Sequence, residues 1–108
     1  MSIRLPPAIA LYVKAENSGH VEALSECFAP NATVRDENRT YKGLAAIREW
    51  KAETKKKYNH TVTPLEVADR GGSTVLKARL AGGFPGSPVT LEFSFVLEGG
   101  KIVSLEIH

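Results

Sequence analysis

Apolar and polar positions along this chain fall into two regimes: helical spacing as far as Tyr58, then two-residue alternation after Asn59. Ala8, Ile9, Tyr12 and Val13 recur at i, i+3 and i+4, which predicts a helix with one apolar face. Pro6-Pro7 suit its first turn, where a missing N–H does no harm, and Asn17-Ser18-Gly19 stops it. A second short helix places Val21, Leu24 and Phe28 on one face with Cys27 beside them, and Pro30 ends it. Two helices so tightly joined predict an α-hairpin. Ala32 to Asp36 then reads as a short strand and Arg39 to Lys42 as another, across a polar turn. Gly43 precedes a third helix, Leu44 to about Tyr58, striped by Leu44, Ile47, Trp50, Thr54 and Tyr58.

Thr61 to Asp69 reads as a strand interrupted by Pro64, which predicts an edge or a bulge. After a Gly71-Gly72 turn, Thr74 to Ala81 sets Leu76, Ala78 and Leu80 against Lys77 and Arg79. A glycine- and proline-rich loop spans Gly82 to Pro88. In Val89 to Leu97 the odd positions Val89, Leu91, Phe93, Phe95 and Leu97 are all apolar, so one face is buried and the other is partly wet. Leu91 then shares the interior with Phe93 and Phe95, and Glu92 does not. Gly99-Gly100 makes a hairpin turn, and Lys101 to Ile107 returns with Val103, Leu105 and Ile107 on one face. Helices first and antiparallel strands after predict an α+β fold. The expected form is a cone-like, strongly curved antiparallel sheet of about four to six strands, wrapped around three helices and enclosing a hollow.

Composition narrows the picture. At 108 residues the chain is expected to be one domain, residues 1–108. A net charge of +2 argues neither for nor against a charged partner. The one local excess, Lys55-Lys56-Lys57 beside Lys51, lies at a helix end whose dipole favours cations. No aromatic stacking ladder accompanies it, so no nucleic-acid partner is expected. The single cysteine, Cys27, excludes an internal disulfide and reads as a small buried hydrophobe. With no apolar leader and no long apolar segment, neither secretion nor a membrane span is expected, and the cytoplasm is the default. His20, His60 and His108 stand in different elements at no ligand spacing, so no metal site is expected. The glycine pairs lack phosphate-loop spacing, so no cofactor is expected either.

Asp36 and Asp69 are the only aspartates. Asp36 ends a strand beside the predicted hollow, which would desolvate its carboxyl, raise its pKa and improve it as a general base. The competing expectation is a solvated acid paired with Arg35 or Arg39. Tyr12, on the apolar face of the first helix, is either ligand-facing or a core aromatic with a satisfied hydroxyl. Trp50 and Tyr58 stand on the inner stripe of the third helix, as core or as pocket lining, and Tyr41 is a candidate for the pocket mouth.

The helix, helix, strand order with Ala32-Thr33-Val34-x-Asp36, then Tyr41-x-Gly43-x-x-Ala46-Ile47-Arg48, then helix and four strands, resembles the nuclear transport factor 2-like superfamily. Within it the chain looks most like the SnoaL-like and ketosteroid-isomerase-like proteins, over about residues 5 to 107. The fold hosts isomerases, cyclases, dehydratases, epoxide hydrolases and non-catalytic binders. In the steroid isomerases a tyrosine on the first helix donates to the dienolate oxygen, and an aspartate ending the first strand moves the proton. The resemblance puts Tyr12 and Asp36 in those roles, 36 − 12 = 24 residues apart, which is the family's spacing. The isomerases also carry a second, protonated aspartate before a Phe-x-Phe pair; here Phe93-x-Phe95 is present and Leu91 takes the acid's place. Loss of one such donor typically lowers the rate by on the order of 10²–10³. The resemblance also implies a homodimer through the outer sheet face, with Thr90, Ser94, Val96, Ile102 and Ser104 on it.

Two functions remain open. The first is cofactor-free proton transfer on a small apolar carbonyl compound, steroid-like or polyketide-like, as in isomerases and cyclases. Asp36 would be the base, Tyr12 the donor, and Trp50, Tyr58, Tyr41, Leu91 and Phe93 would line the pocket. The second is a non-catalytic ligand-binding or dimerisation module of the same fold. An Asp36 facing an open pocket with Tyr12 within reach favours the first, and an Asp36 ion-paired outside favours the second.

Overall fold

The helices end where the sequence gives them local reasons to end. In the computed structural model, which describes residues 4–108, helix α1 (Pro7–Ser18) begins on a proline. It stops at Gly19, whose φ of 73° lets its N–H return to the Ala15 carbonyl. A 3₁₀ turn, Val21–Ala23, leads into α2 (Leu24–Cys27), a single turn of helix. The predicted second helix is therefore too long by one residue, and the first strand starts earlier than its apolar pattern suggests. Phe28 is already extended and opens β1 (Phe28–Asp36). Ala29 precedes a proline and is steered out of helical conformation, and Phe28 gains a strand partner in Ile102.

β1 turns back into β2 (Arg39–Lys42) through Glu37 and Asn38, both at positive φ. A two-residue turn of that hand matches the twist of paired strands. Helix α3 (Leu44–Tyr58) ends at left-handed Asn59, with Lys55, Lys56 and Lys57 in its last turn. It carries the chain to the far edge of the sheet. There β3 (Thr61–Arg70), β4 (Ser73–Ala81), β5 (Val89–Glu98) and β6 (Lys101–Ile107) return as a meander. The strand order is β2-β1-β6-β5-β4-β3. Neighbours are antiparallel except β1 and β6, which run parallel. The purely antiparallel sheet expected from the hairpin signals is thus corrected to a mixed one. A helix-long crossover permits a parallel return where a tight turn would not.

Three register irregularities interrupt the sheet, one between Phe28 and Thr33 in β1, one at Pro64–Glu66 on edge strand β3 and one between Val96 and Leu97. The last corrects a face assignment. Val96 pairs with Ser104 and Leu97 with Ile102, leaving Val103 as the extra residue. Ile102 is therefore fully buried instead of outward-facing, and Val103 is only half-buried. The inner rows are Phe93 with Ile107, Phe95 with Leu105 and Leu97 with Ile102. Glu92 pairs with Lys77 on the outer face. Tyr12 is fully buried, its ring 5.4–6.2 Å from those of Phe28, Phe93 and Phe95. Cys27 is buried as well, and burial pushes its thiol up to about 11. No helix among the described residues is long and apolar enough to cross a membrane.

The loop between β4 and β5 is fastened to the end of α3. The Gly83 N–H donates to the Tyr58 carbonyl at 2.8 Å, and Phe84 packs on the Tyr58 ring at 5.7 Å. At Gly82 a Cβ would stand 2.7 Å from the Tyr58 oxygen and 2.8 Å from His60 Cα, so two backbones approach where only glycine fits. Gly82→Ala should therefore lower stability by about 1–3 kcal/mol, read from the urea midpoint. An unchanged midpoint would show that this approach is not needed.

Candidate functional site

Two charged residues stand on helix faces that are otherwise apolar. Glu16 lies one turn beyond Tyr12 on the buried face of α1, and Lys51 lies one turn beyond Ile47 on that of α3. His60 follows the left-handed Asn59 that ends α3. The three meet. Lys51 Nζ donates to Glu16 Oε1 at 2.6 Å, His60 Nε2 reaches the same oxygen at 2.7 Å, and the Tyr12 hydroxyl donates to Oε2. Glu16, Lys51 and His60 are 1, 2 and 3% exposed. A carboxylate only accepts, so His60 Nε2 carries the hydrogen. Its Nδ1 is buried and has no partner among the described residues.

Burial alone would raise the Glu16 carboxyl, but the Lys51 charge and the hydrogen bonds from His60, Lys51 and Tyr12 outweigh it and hold it at about 2. Burial and the adjacent Glu16 carboxylate push the Tyr12 phenol well above its usual range.

The cluster forms part of the wall of a cavity of about 480 Å³, within the size range of small-molecule sites. Strands supply Leu80, Val89, Leu91, Phe93 and Ile107, and α3 supplies Trp50 and Tyr58. Glu37 and Pro85, both exposed, also line the cavity, as does the half-buried Asp36 that precedes Glu37. The Trp50 indole N–H donates to Asp36 Oδ2 at 3.1 Å. Desolvation raises the Asp36 carboxyl above its ordinary value, aided by Glu37 and Glu16 and opposed by the Trp50 hydrogen bond and Lys51. Among the described residues the ion pairs are those at Glu16, so Asp36 is not paired with Arg35 or Arg39.

Trp50, Tyr58, Leu91 and Phe93 thus line the same cavity as Asp36. Two expectations are corrected. Tyr12 does not line the cavity: its ring is enclosed by phenylalanines and its hydroxyl is committed to Glu16. Tyr41 does not line it either, because it packs against the Trp50 ring at 5.9 Å. Sequence reasoning missed Glu16, Lys51 and His60. The available signal was a charge of each sign on the apolar stripe of two different helices. Among the described residues no three His, Cys, Asp or Glu side chains gather as a metal site needs.

The profile of the SnoaL-like domain family matches residues 9–105. A proposed polyketide cyclase from Sinorhizobium meliloti is 40% identical. Its structure superposes with a TM-score of 0.92, covering 96% of this chain and 95% of that one. A protein of ketosteroid isomerase-like fold from Catenulispora acidiphila, solved with trimethylamine, is 23% identical at a TM-score of 0.84, covering 97% and 86%. A nuclear transport factor 2-like protein from Cytophaga hutchinsonii is 16% identical at 0.78, covering 100% and 91%. No curated protein matches the chain.

The Glu16 environment sets an acid-side stability profile. Its folded pKa lies below the unfolded value, so the stabilisation is complete above pH 4.5 and is lost as pH falls toward about 2. The difference is equivalent to about 3 kcal/mol. Glu16→Gln should be less stable at neutral pH by up to about 3–5 kcal/mol, because Lys51 loses its counter-ion. Its stability should also fall less steeply with acid. Parallel urea-midpoint profiles for the two proteins would show that Glu16 titrates alike folded and unfolded.

Proposed function

The chain belongs to the SnoaL-like domain family, and on that premise we propose that it moves a proton on a small apolar carbonyl compound held in the cavity. Asp36 is the general base. One observation carries this: a carboxylate raised by desolvation, fixed by the Trp50 indole and facing an apolar hollow. Burial brings such a group toward the pKa that suits a base near neutral pH. It takes the proton from the carbon next to the carbonyl, and the electron pair moves onto the carbonyl oxygen. The same carboxyl then returns the proton to another carbon; or the enolate carbon attacks a second carbonyl, closing a ring as that carbonyl's π pair moves to its oxygen, and the carboxyl returns the proton to the resulting alkoxide. Neither step needs a cofactor. The likeness to the proposed Sinorhizobium meliloti cyclase favours a polyketide-like substrate. A steroid-like one is disfavoured by Leu91 in the acid's place and by a Tyr12 hydroxyl that points elsewhere.

That last feature also supports a second reading, a non-catalytic module that binds a small apolar molecule in the same hollow. The two part company in a turnover assay against enone and polyketide-type compounds, paired with binding followed by Trp50 fluorescence. Asp36→Asn should lose about 10²-fold or more in turnover and keep most of its ligand affinity, since apolar and aromatic side chains make up much of the wall. Wild-type turnover in that variant would refute Asp36 as the base. Ligands that bind and are never transformed would favour the module.

We further propose pairing of two copies through the outer sheet face, where Thr90, Ser94, Val96 and Ser104 are small or uncharged. With Ile102 withdrawn into the core, this face is less apolar than alternation alone implies. Light scattering at high micromolar concentration should give twice the 11.7 kDa chain mass, and a mass of one chain would exclude the dimer.

A further inference from the structure

We propose that Lys51 receives the substrate's carbonyl oxygen, with Glu16, His60 and Tyr12 as its fixed mount; the assignment rests on the proton-transfer reading above. A count of donors and acceptors at the inner end of the cavity leads there. The Lys51 ammonium has three hydrogens. One goes to Glu16 Oε1, and among the described residues Nζ has no other acceptor. Nζ lies 3.8 Å from the Trp50 ring centroid, so an aromatic face holds part of its charge, and Lys51 is one of the residues that line the cavity. Glu16 is the opposite case. Its two oxygens already take three donors, from Lys51, His60 and Tyr12, so it acts as a counter-ion and has little left for a ligand.

Trp50 then organises both halves of the reaction. Its indole N–H holds Asp36, and its ring face carries Lys51. A substrate lying between them has its acidic carbon toward the carboxylate and its oxygen toward the ammonium. When the C–H bond breaks, the proton goes to Asp36 and the electron pair to oxygen. Lys51 keeps its own proton and stabilises the enolate through a hydrogen bond. This supplies the donor that Tyr12 and Leu91 do not. The charged and titratable groups facing Lys51 are Glu16 and Tyr12 from α1, His60 from the segment before β3, and Asp36 from β1. The preferred ligand class is one with an oxygen that becomes anionic, such as an enolisable ketone or a phenol.

The test uses 4-nitrophenol, whose two protonation states differ in colour, with 4-nitrotoluene as the probe lacking the hydroxyl. In the wild type the bound phenol should ionise about one to three pH units below the free one, because an opposite charge stands beside its oxygen. Lys51→Met leaves Glu16 buried without its counter-ion, so the Glu16→Gln, Lys51→Met double variant, which removes both charges, is the safer comparison. It should bind nitrotoluene as the wild type does and lose the lowered ionisation. An equal ionisation in both proteins overturns the assignment. So does an upward displacement, which would put the oxygen beside Asp36, and so does a wild type that binds neither probe. Turnover does not enter this measurement. If no substrate is ever transformed, the base proposal fails while a Lys51-dependent ionisation stands. If turnover depends on Asp36 but the phenol ionises normally, Lys51 fails alone.

Discussion

Taking a carboxylate and an ammonium out of water costs several kcal/mol per ion, and Glu16 and Lys51 offset that by meeting each other at 2.6 Å inside the fold. The contact joins α1 to α3, and His60 adds the start of the strand run through the same oxygen. Apolar packing tolerates small slips of one helix past another, because one methyl group substitutes for the next. A charged pair does not. Rotating either helix by one residue would leave an uncompensated ion in the core. The mutual position of the two helices is therefore set by electrostatics as well as by shape, and so is the inner end of the cavity between them and the sheet.

The same cavity drives two carboxylates in opposite directions. Glu16 is the more deeply buried, yet three donors hold it at about 2. Asp36 is half-buried and has one donor, the Trp50 indole, so desolvation prevails and its carboxyl is raised. Burial alone does not decide basicity; the charge that faces the carboxyl and the hydrogens pointed at its oxygens do. Glu16 is thereby a fixed negative charge with little affinity for protons. Asp36 is the one of the two suited to accepting a proton and giving it back.

Much of the fold was legible because local rules and tertiary packing agree. The stripe on α3, the edge position of Pro64 and the alternation of β5 all follow from one residue's spacing to the next. What was not legible depended on strangers in sequence. The bulge at Val103 is invisible in Lys101–Ile107 read alone, since alternation fits either face until Leu97 chooses Ile102 as its partner. Asp36 and four apolar or aromatic wall residues could be named from position and resemblance. Tyr12 could be named too, but not that Glu16, one turn away, would claim its hydroxyl. Lys51 and His60 are hidden in the sequence because Lys51 reads with Lys55, Lys56 and Lys57 as part of a solvated basic helix end, and His60 stands at no ligand spacing, yet both are buried. Only the meeting of three elements makes them a site.

The parallel pairing of β1 with β6 has a consequence for how the chain reaches this structure. Phe28 and Val34 find their partners in Ile102 and Leu105, so the sheet is closed by the first strand of the chain pairing with the last. The β3–β4 and β5–β6 hairpins can form early, since their turns are short and their contacts local. β1 and β2 can pair early as well, but they stay apart from the meander until β6 arrives. Joining them closes a long loop, whose entropy must be lost before any of those contacts is gained. The inner edge of β1 is meanwhile an unpaired strand beside exposed apolar side chains, the kind of surface that recruits a second chain. Docking of β1 onto β6 is thus the step where productive folding competes with self-association.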